Sequence, residues 1–148
     1  MNFSIEQLSA AISQYVPVHN FLGIELVEIK PLTVKFHLPF RPELIGDPRA
    51  DRWHGGVVAL LLDSAGGAAS MTTLNNINDK LATIDMRVDY LKPGLGGKDI
   101  WAEAQVTKNG SRVVVTHMEA WHEIDGEKLL IAEGRGAYSA VREPINQD

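Results

Sequence analysis

The sequence has no cysteine, which excludes disulfide scaffolds, thiolate metal sites and cysteine nucleophiles. No apolar run reaches the ~18 residues of a membrane span. The amino terminus, Met1-Asn2-Phe3-Ser4, lacks the basic stretch and apolar core of a secretory signal. Excess positive charge is missing as well: the net charge is −5 and the pI about 5.5, which argues against a binder that works by neutralising nucleic-acid phosphates. The expectation is a soluble, cytoplasmic protein with no nucleic-acid or membrane partner. Internal repeats, low-complexity tracts and linkers are absent, and 148 residues with 45% hydrophobic content suffice for one domain over residues 1–148.

Charge is scarcest between His54 and Asn78, where Asp63 is the single formal charge. That stretch opens with His54-Gly55-Gly56 and continues through Val57-Val58-Ala59-Leu60-Leu61-Leu62 to Asp63. A carboxylate among so many apolar neighbours is costly to desolvate unless it is paired, hydrogen-bonded or protonated. A glycine pair at the head of a helix leaves backbone N–H groups free to face an oxygen. Together they point to a catalytic acid or base close to an oxyanion site.

Patterning organises the rest. Ser4-Ile5-Glu6-Gln7 reads as a capping box, with Ile5, Leu8, Ile12 and Tyr15 on one helical face and Pro17 stopping the helix; residues 1–19 are this helix and its lead-in. Two short strands follow, Gly23 to Ile29 and Leu32 to Leu38, and then a loop through Leu44-Ile45-Gly46-Asp47-Pro48. The apolar span Gly55 to Leu74 is too long for one strand and predicts a helix. After it the period changes to two: Ile84, Met86, Val88 and Tyr90 form one face of a half-buried strand that ends at Pro93-Gly94. Three further strands, Ile100 to Lys108, Arg112 to Glu123 and Leu129 to Val141, are joined by Asn109-Gly110 and Asp125-Gly126, dipeptides suited to tight hairpin turns. Gly134 and Gly136 share a face with Ala132 and leave a shallow path for close approach, with the long helix as the expected occupant. The fold class is α+β: an antiparallel sheet wrapped around one long central helix.

Spacing limits what one chain can do. Gly55 and Asp63 are eight residues apart, about two turns and ~12 Å along a helix, too far to serve one carbon. A second copy across a two-fold axis brings its Asp63 beside the first copy's Gly55. His54 with Asp63 fails as a metal pair for want of further ligands, so no metal or other cofactor is expected. Ser64 lacks the preceding glycine of a nucleophile elbow. His117 and His122 fall on opposite faces of one strand, one toward the core and one solvated. Arg87, Lys92, Lys108 and Arg112 can serve phosphates near strand ends or can simply form a solvated face. Trp53, Trp101 and Trp121 read as packing residues.

These residues resemble the hotdog-fold acyl-CoA thioesterases, in the branch that includes the phenylacetate-pathway thioesterase. The resemblance rests on His54-Gly55-Gly56, the apolar helix to Asp63, and the strand from Thr83 through Asp89-Tyr90-Leu91-Lys92-Pro93-Gly94, and covers roughly residues 20 to 141. It implies a hotdog fold and hydrolysis of acyl-CoA to a carboxylic acid and coenzyme A. Gly55 N–H would polarise the thioester carbonyl, the partner's Asp63 would act as general base or nucleophile, His54 would orient the glycine loop or contact the reacting groups, and Gly56 would help to bind substrate. It also implies a homodimer with sites at the subunit interface, and a homotetramer of two dimers. Where the family pattern carries an amide residue six before the histidine and a hydroxyl four after the acid, this chain has Pro48 and Gly67. Asp47, Ser64, Ser70 and Thr83 are the candidates to hold water or substrate instead, with Arg87 and Arg112 for phosphates. The loop Arg41 to Pro48 resembles the sub-branch acting on medium- and long-chain acyl-CoA. A non-hydrolytic acyl-CoA-binding sensor on the same fold is the alternative. A hydroxyacyl-thioester dehydratase fits the glycine pair and the lone acid less well.

Overall fold

The computed structural model describes residues 4–144. Helix α1 (Ile5–Gln14) begins with the expected box: Gln7 N–H donates to Ser4 Oγ at 3.1 Å and Ser4 N–H to Gln7 Oε1 at 2.8 Å. Leu8 and Ile12 turn inward while Tyr15 is exposed. Pro17 does more than end this helix. It opens a second one, α2 (Pro17–Leu22), because the amide that proline lacks has no acceptor at a first helical position anyway. Gly23 then terminates α2 at φ +81°.

Six strands form one antiparallel sheet: β1 (Glu25–Lys30), β2 (Thr33–Leu38), β5 (Lys80–Tyr90), β6 (Ile100–Asn109), β7 (Val113–Ile124) and β8 (Glu127–Val141), in the order β1-β2-β6-β7-β8-β5. Between β2 and β5 run a two-stranded ribbon, β3 (Ile45–Asp47) with β4 (Arg52–Trp53), and the long helix α3 (Gly55–Met71). The strand that follows the long helix therefore sits at a sheet edge. Asp125-Gly126 is the tight turn its sequence predicts, at φ +52° and +78°. Asn109-Gly110 is not: β6 and β7 are joined by Gly110 to Arg112, with Gly110 N–H on Val113 O at 3.0 Å, beyond a register shift between Val106 and Lys108. Leu32 likewise belongs to the β1–β2 turn, held at φ +70° with its N–H on Thr72 Oγ1.

The helix lies on the sheet because the sheet's inner face is cut low there. Ala102, Ala104, Ala120 and Ala132 form a floor of fully buried small residues, ringed by Val34, Phe36, Leu38 and Ile100. Leu61, Leu62, Ala65 and Ala69 of α3 are buried against this group, each leucine contributing ~1.5–3 kcal/mol. The glycine path on β8 is filled by side chains from the sheet itself rather than by the helix. The Tyr138 ring lies over Gly136, and Met118 reaches over Gly134. The helix meets both at Gly66, where a methyl would overlap the Tyr138 hydroxyl and come within 2.7 Å of Met118 Sδ.

A bulge in β5 changes which residues face the helix. Its pairing with β8 shifts between Thr83 and Asp85, so Ile84 is an extra residue. Before it Thr83 points inward and Leu81 packs on the core; after it Met86 and Val88 do. The alternation expected for Ile84, Met86, Val88 and Tyr90 thus breaks at Ile84, which is 57% exposed, while Tyr90 keeps the phase of Met86 and Val88 and reaches the start of α3 with its ring half exposed.

The two adjacent helix glycines should respond oppositely to alanine. Gly66→Ala forces the buried Tyr138 to move, an overpacking cost of ~1–3 kcal/mol. At Gly67 the added methyl meets Tyr138 Cε1 at an ordinary 3.7 Å, leaving the helix-propensity gain of ~0.5–1 kcal/mol. Urea unfolding at matched protein concentration should give a lower midpoint for the first variant and an equal or higher one for the second. Equal shifts would contradict this packing.

Candidate functional site

The start of α3 is held on two sides. Trp53 N–H donates to Gly94 O at 3.0 Å and His54 N–H to Leu44 O at 2.9 Å, while the buried Trp53 indole donates to Lys98 O. His54 caps the helix: its Nδ1 accepts from Gly56 N–H at 2.9 Å, and its carbonyl accepts from Val57 and Val58. Gly55 O accepts from the Tyr90 hydroxyl at 2.7 Å. Of this first turn, Gly55 N–H has no hydrogen bond among the described residues. It stands at the positive end of a seventeen-residue helix and opens into a cleft of about 380 Å³. Tyr90, Pro93 and Ile131 line that cleft, with Arg52 and Lys92 as its cations.

Asp63, two turns further on, is satisfied on one oxygen. Its Oδ1 accepts from Thr83 Oγ1 at 2.9 Å and from Tyr138 Oη at 3.2 Å, and the same phenol oxygen lies 3.1 Å from Asp63 O. Oδ2 has no partner among the described residues. Tyr138 is 1% exposed. Burial, then the Asp63 charge, pushes its phenol far above the usual range, so it remains a donor throughout neutral pH. The Thr116 hydroxyl is buried behind it, next to Gly136, without a hydrogen-bond partner among the described residues.

Asp63 opens into a different cleft from Gly55, about 310 Å³ in volume. Ser64, Gly67 and Thr83 line it together with Ile12 and His19 of the amino-terminal helices. His19 is buried, which pushes its imidazole below the ordinary range.

The remaining expected residues divide. Ser64 and Thr83 share the Asp63 cleft, and Gly56 gives its amide to His54. Ser70 is turned into the core and donates to Gly66 O at 2.8 Å, so it reaches neither cleft. Asp47 is tied to Arg49, whose hydrogen bonds hold its carboxyl below the usual range, and it lines neither cleft. Arg87 pairs with Asp89 at 3.1 Å beside His117 and Glu133. Among the described residues Arg112 makes only a main-chain bond, from Ala140 N–H.

His122 is fully buried, donating from Nδ1 to Asp99 O and accepting at Nε2 from Leu95 N–H, while His117 is exposed. His117, Glu119 and Glu133 bring potential ligand atoms within 4.8 Å. They lie on the sheet face opposite buried Met118, and Lys128 already holds Glu119 at 2.6 Å.

Tyr138, Arg52 and His19 escaped the sequence reading. Tyr138 alone left a trace there, as a large residue two positions after Gly136 on the glycine face of β8.

Comparison with known proteins follows the same lines. The sequence pattern of the Thioesterase superfamily matches residues 51–128, more than half of the chain. A provisionally named esterase of Halobacterium salinarum is 32% identical over 95% of this chain and 97% of its own length. The medium/long-chain acyl-CoA thioesterase YigI of Escherichia coli K12 is 29% identical over 84% of this chain and 85% of its own. The crystal structure of a thioesterase family protein from Silicibacter pomeroyi superposes with a TM-score of 0.84 at 26% identity, covering 93% of this chain and 98% of that one. The chain belongs to the hotdog-fold thioesterase superfamily and is a thioester hydrolase.

Proposed function

We propose that the protein hydrolyses acyl-CoA to a carboxylic acid and coenzyme A, at two equivalent sites each shared between the subunits of a two-fold homodimer. One observation carries this reading: Gly55 N–H and Asp63 Oδ2, each without a hydrogen bond among the described residues, open into different clefts of the same chain. Two such helices, antiparallel across a two-fold axis, bring each chain's Gly55 to the other's Asp63. The edge strand β5 offers the means. It runs for eleven residues with one side unpaired among the described strands, and Ile84, Tyr90 and the adjoining Leu91 expose apolar surface. A long edge of this kind is a template for another strand. The activity named for YigI supports acyl-CoA as substrate, and Arg52 and Lys92 beside Gly55 suit its phosphates.

In this reaction the thioester carbonyl oxygen accepts from Gly55 N–H at the positive helix end. The partner subunit's Asp63 takes a proton from water through Oδ2 while the water oxygen adds to the carbonyl carbon. The oxyanion collapses, the C–S bond breaks, and the leaving thiolate takes up the proton. Direct attack by Asp63, giving a mixed anhydride that water opens, uses the same arrangement. Thr83 and Tyr138 both engage Oδ1, which leaves Oδ2 as the reacting atom and fixes the carboxylate plane. His54 holds Gly56 N–H and so steadies the loop that presents Gly55.

Thiol release should be detected with wild-type protein across acyl-CoAs of graded length; none from any of them would sink the proposal. Asp63→Asn should lower turnover by at least ~10²-fold, the scale of a lost general base. Gly55→Pro removes the amide hydrogen at a first helical position that tolerates proline, after a His54 ψ of 124° that already suits it. Each variant should be inactive alone, and their mixture should regain activity as heterodimers with one intact site. No rescue in demonstrated heterodimers would exclude shared sites.

Tyr138→Phe keeps the ring that packs on Gly136 and removes one donor from Asp63. It should lower kcat about tenfold with KM unchanged. An unchanged kcat would show that the tyrosine only packs.

A further inference from the structure

We infer that the alkyl chain of the substrate runs away from Asp63 through a trough roofed by α1, which sets the acyl length the enzyme accepts. This rests on the acyl-CoA reading above and names the part of the molecule that reads the acyl group. The cleft at Asp63 does not end there. Its walls continue along α3 through Gly67, Ala68 and Met71, with Leu81 of β5 facing them. Met71 and Leu81 also line a second hollow of about 320 Å³, walled by Leu8, Ala11, Leu74 and Ile77. The two hollows share Met71 and Leu81 as walls, so they adjoin along α3.

Its chemistry changes along its length as an acyl thioester would require. The near end holds the polar Asp63, Ser64 and Thr83. The middle is apolar at Met71 and Leu81, and the far end is apolar on its walls and polar only at Gln7, Asn76 and Asp79. The roof is one face of α1: Ile12 covers the first hollow, Leu8 and Ala11 the second, at the three- and four-residue spacing of side chains that lie together on a helix. Met71 stands at the junction, where an unbranched, adaptable side chain can make way. Gly67 keeps the entry open beside the carboxylate, where a larger side chain would narrow it.

Length follows from the helix. Asp63 to Met71 is eight residues, ~12 Å. That takes roughly ten extended methylenes at ~1.25 Å of advance per C–C bond of ~1.5 Å, before the second hollow is filled. Each buried methylene is worth roughly a fourfold gain in binding. kcat/KM should therefore climb steeply with acyl length and level off once the far hollow is full.

Ala11→Phe, which fills that hollow from the roof, tests this, with Ala10→Phe on the exposed side of α1 as its control. Dodecanoyl-CoA and butanoyl-CoA turnover would be measured for both variants, alongside calorimetric binding of free dodecanoate, which needs no catalysis. Ala11→Phe should lose at least tenfold in kcat/KM on dodecanoyl-CoA and in dodecanoate affinity, and keep butanoyl-CoA turnover within twofold. Ala10→Phe should match wild type throughout. Met71→Phe, at the junction, should give the same selective loss and serves if Ala11→Phe unfolds α1. An unchanged length profile and unchanged dodecanoate binding in both filled variants would overturn the trough while leaving acyl-CoA hydrolysis standing. Wild-type protein that releases no thiol yet binds dodecanoate in an Ala11-dependent way would overturn hydrolysis and leave the trough.

Discussion

The hydrogen bond between the buried Tyr138 phenol and Asp63 is the constraint from which the rest of the helix's surroundings follow. An unpaired carboxylate in an apolar helix would be expelled or protonated, so the sheet has to deliver donors to it. Two devices do so. The bulge at Ile84 turns Thr83 inward, against the alternation of the strand that carries it. The absence of side chains at Gly66 and Gly136 admits the tyrosine ring between helix and sheet. Neither device is a local necessity of its own strand or helix. Each costs something locally, a broken ladder step or a glycine in a helix interior, and each finds its explanation at Asp63.

The helix amino terminus obeys a complementary logic. His54 accepts from Gly56 N–H, and its carbonyl accepts from the next two amides. Tyr90 ties the Gly55 carbonyl to the end of the edge strand. What remains unengaged in that turn is one donor, Gly55 N–H. Midway along the helix one acceptor, Asp63 Oδ2, is likewise unengaged. Gly55 N–H and Asp63 Oδ2 thus stand open in separate clefts, one a donor and the other an acceptor.

Much of this was legible in the sequence, and the failures share a cause. The capping box at Ser4, the start of α3 at Gly55 and the turn at Asp125-Gly126 are set by residues within a few positions of one another, where local rules act directly. Pro17 misled because a proline that ends one helix is equally fit to begin another. Ile84 and Asn109-Gly110 misled because a register shift is decided by the partner strand, which periodicity within one segment does not report. Of the candidates for the polar shell, Thr83 bonds to the acid while Ser70, closer in sequence, spends its hydroxyl on its own helix. Tyr138, seventy-five residues away from Asp63, could be found only once the sheet order was known.

One helix carries three separate demands, and its composition follows from their coexistence. In the proposed reaction its first turn must present a bare amide, its middle must hold a lone carboxylate, and its last two turns must wall an alkyl chain. Glycine answers the first at Gly55 and makes room for the second at Gly66. Gly67, Ala68 and Met71 answer the third with surfaces that exclude charge. A charged residue at any of these positions would compete with Asp63 for its donors or hydrate the trough. The near absence of charge between His54 and Asn78 is therefore the shared condition under which a single carboxylate on this helix can act.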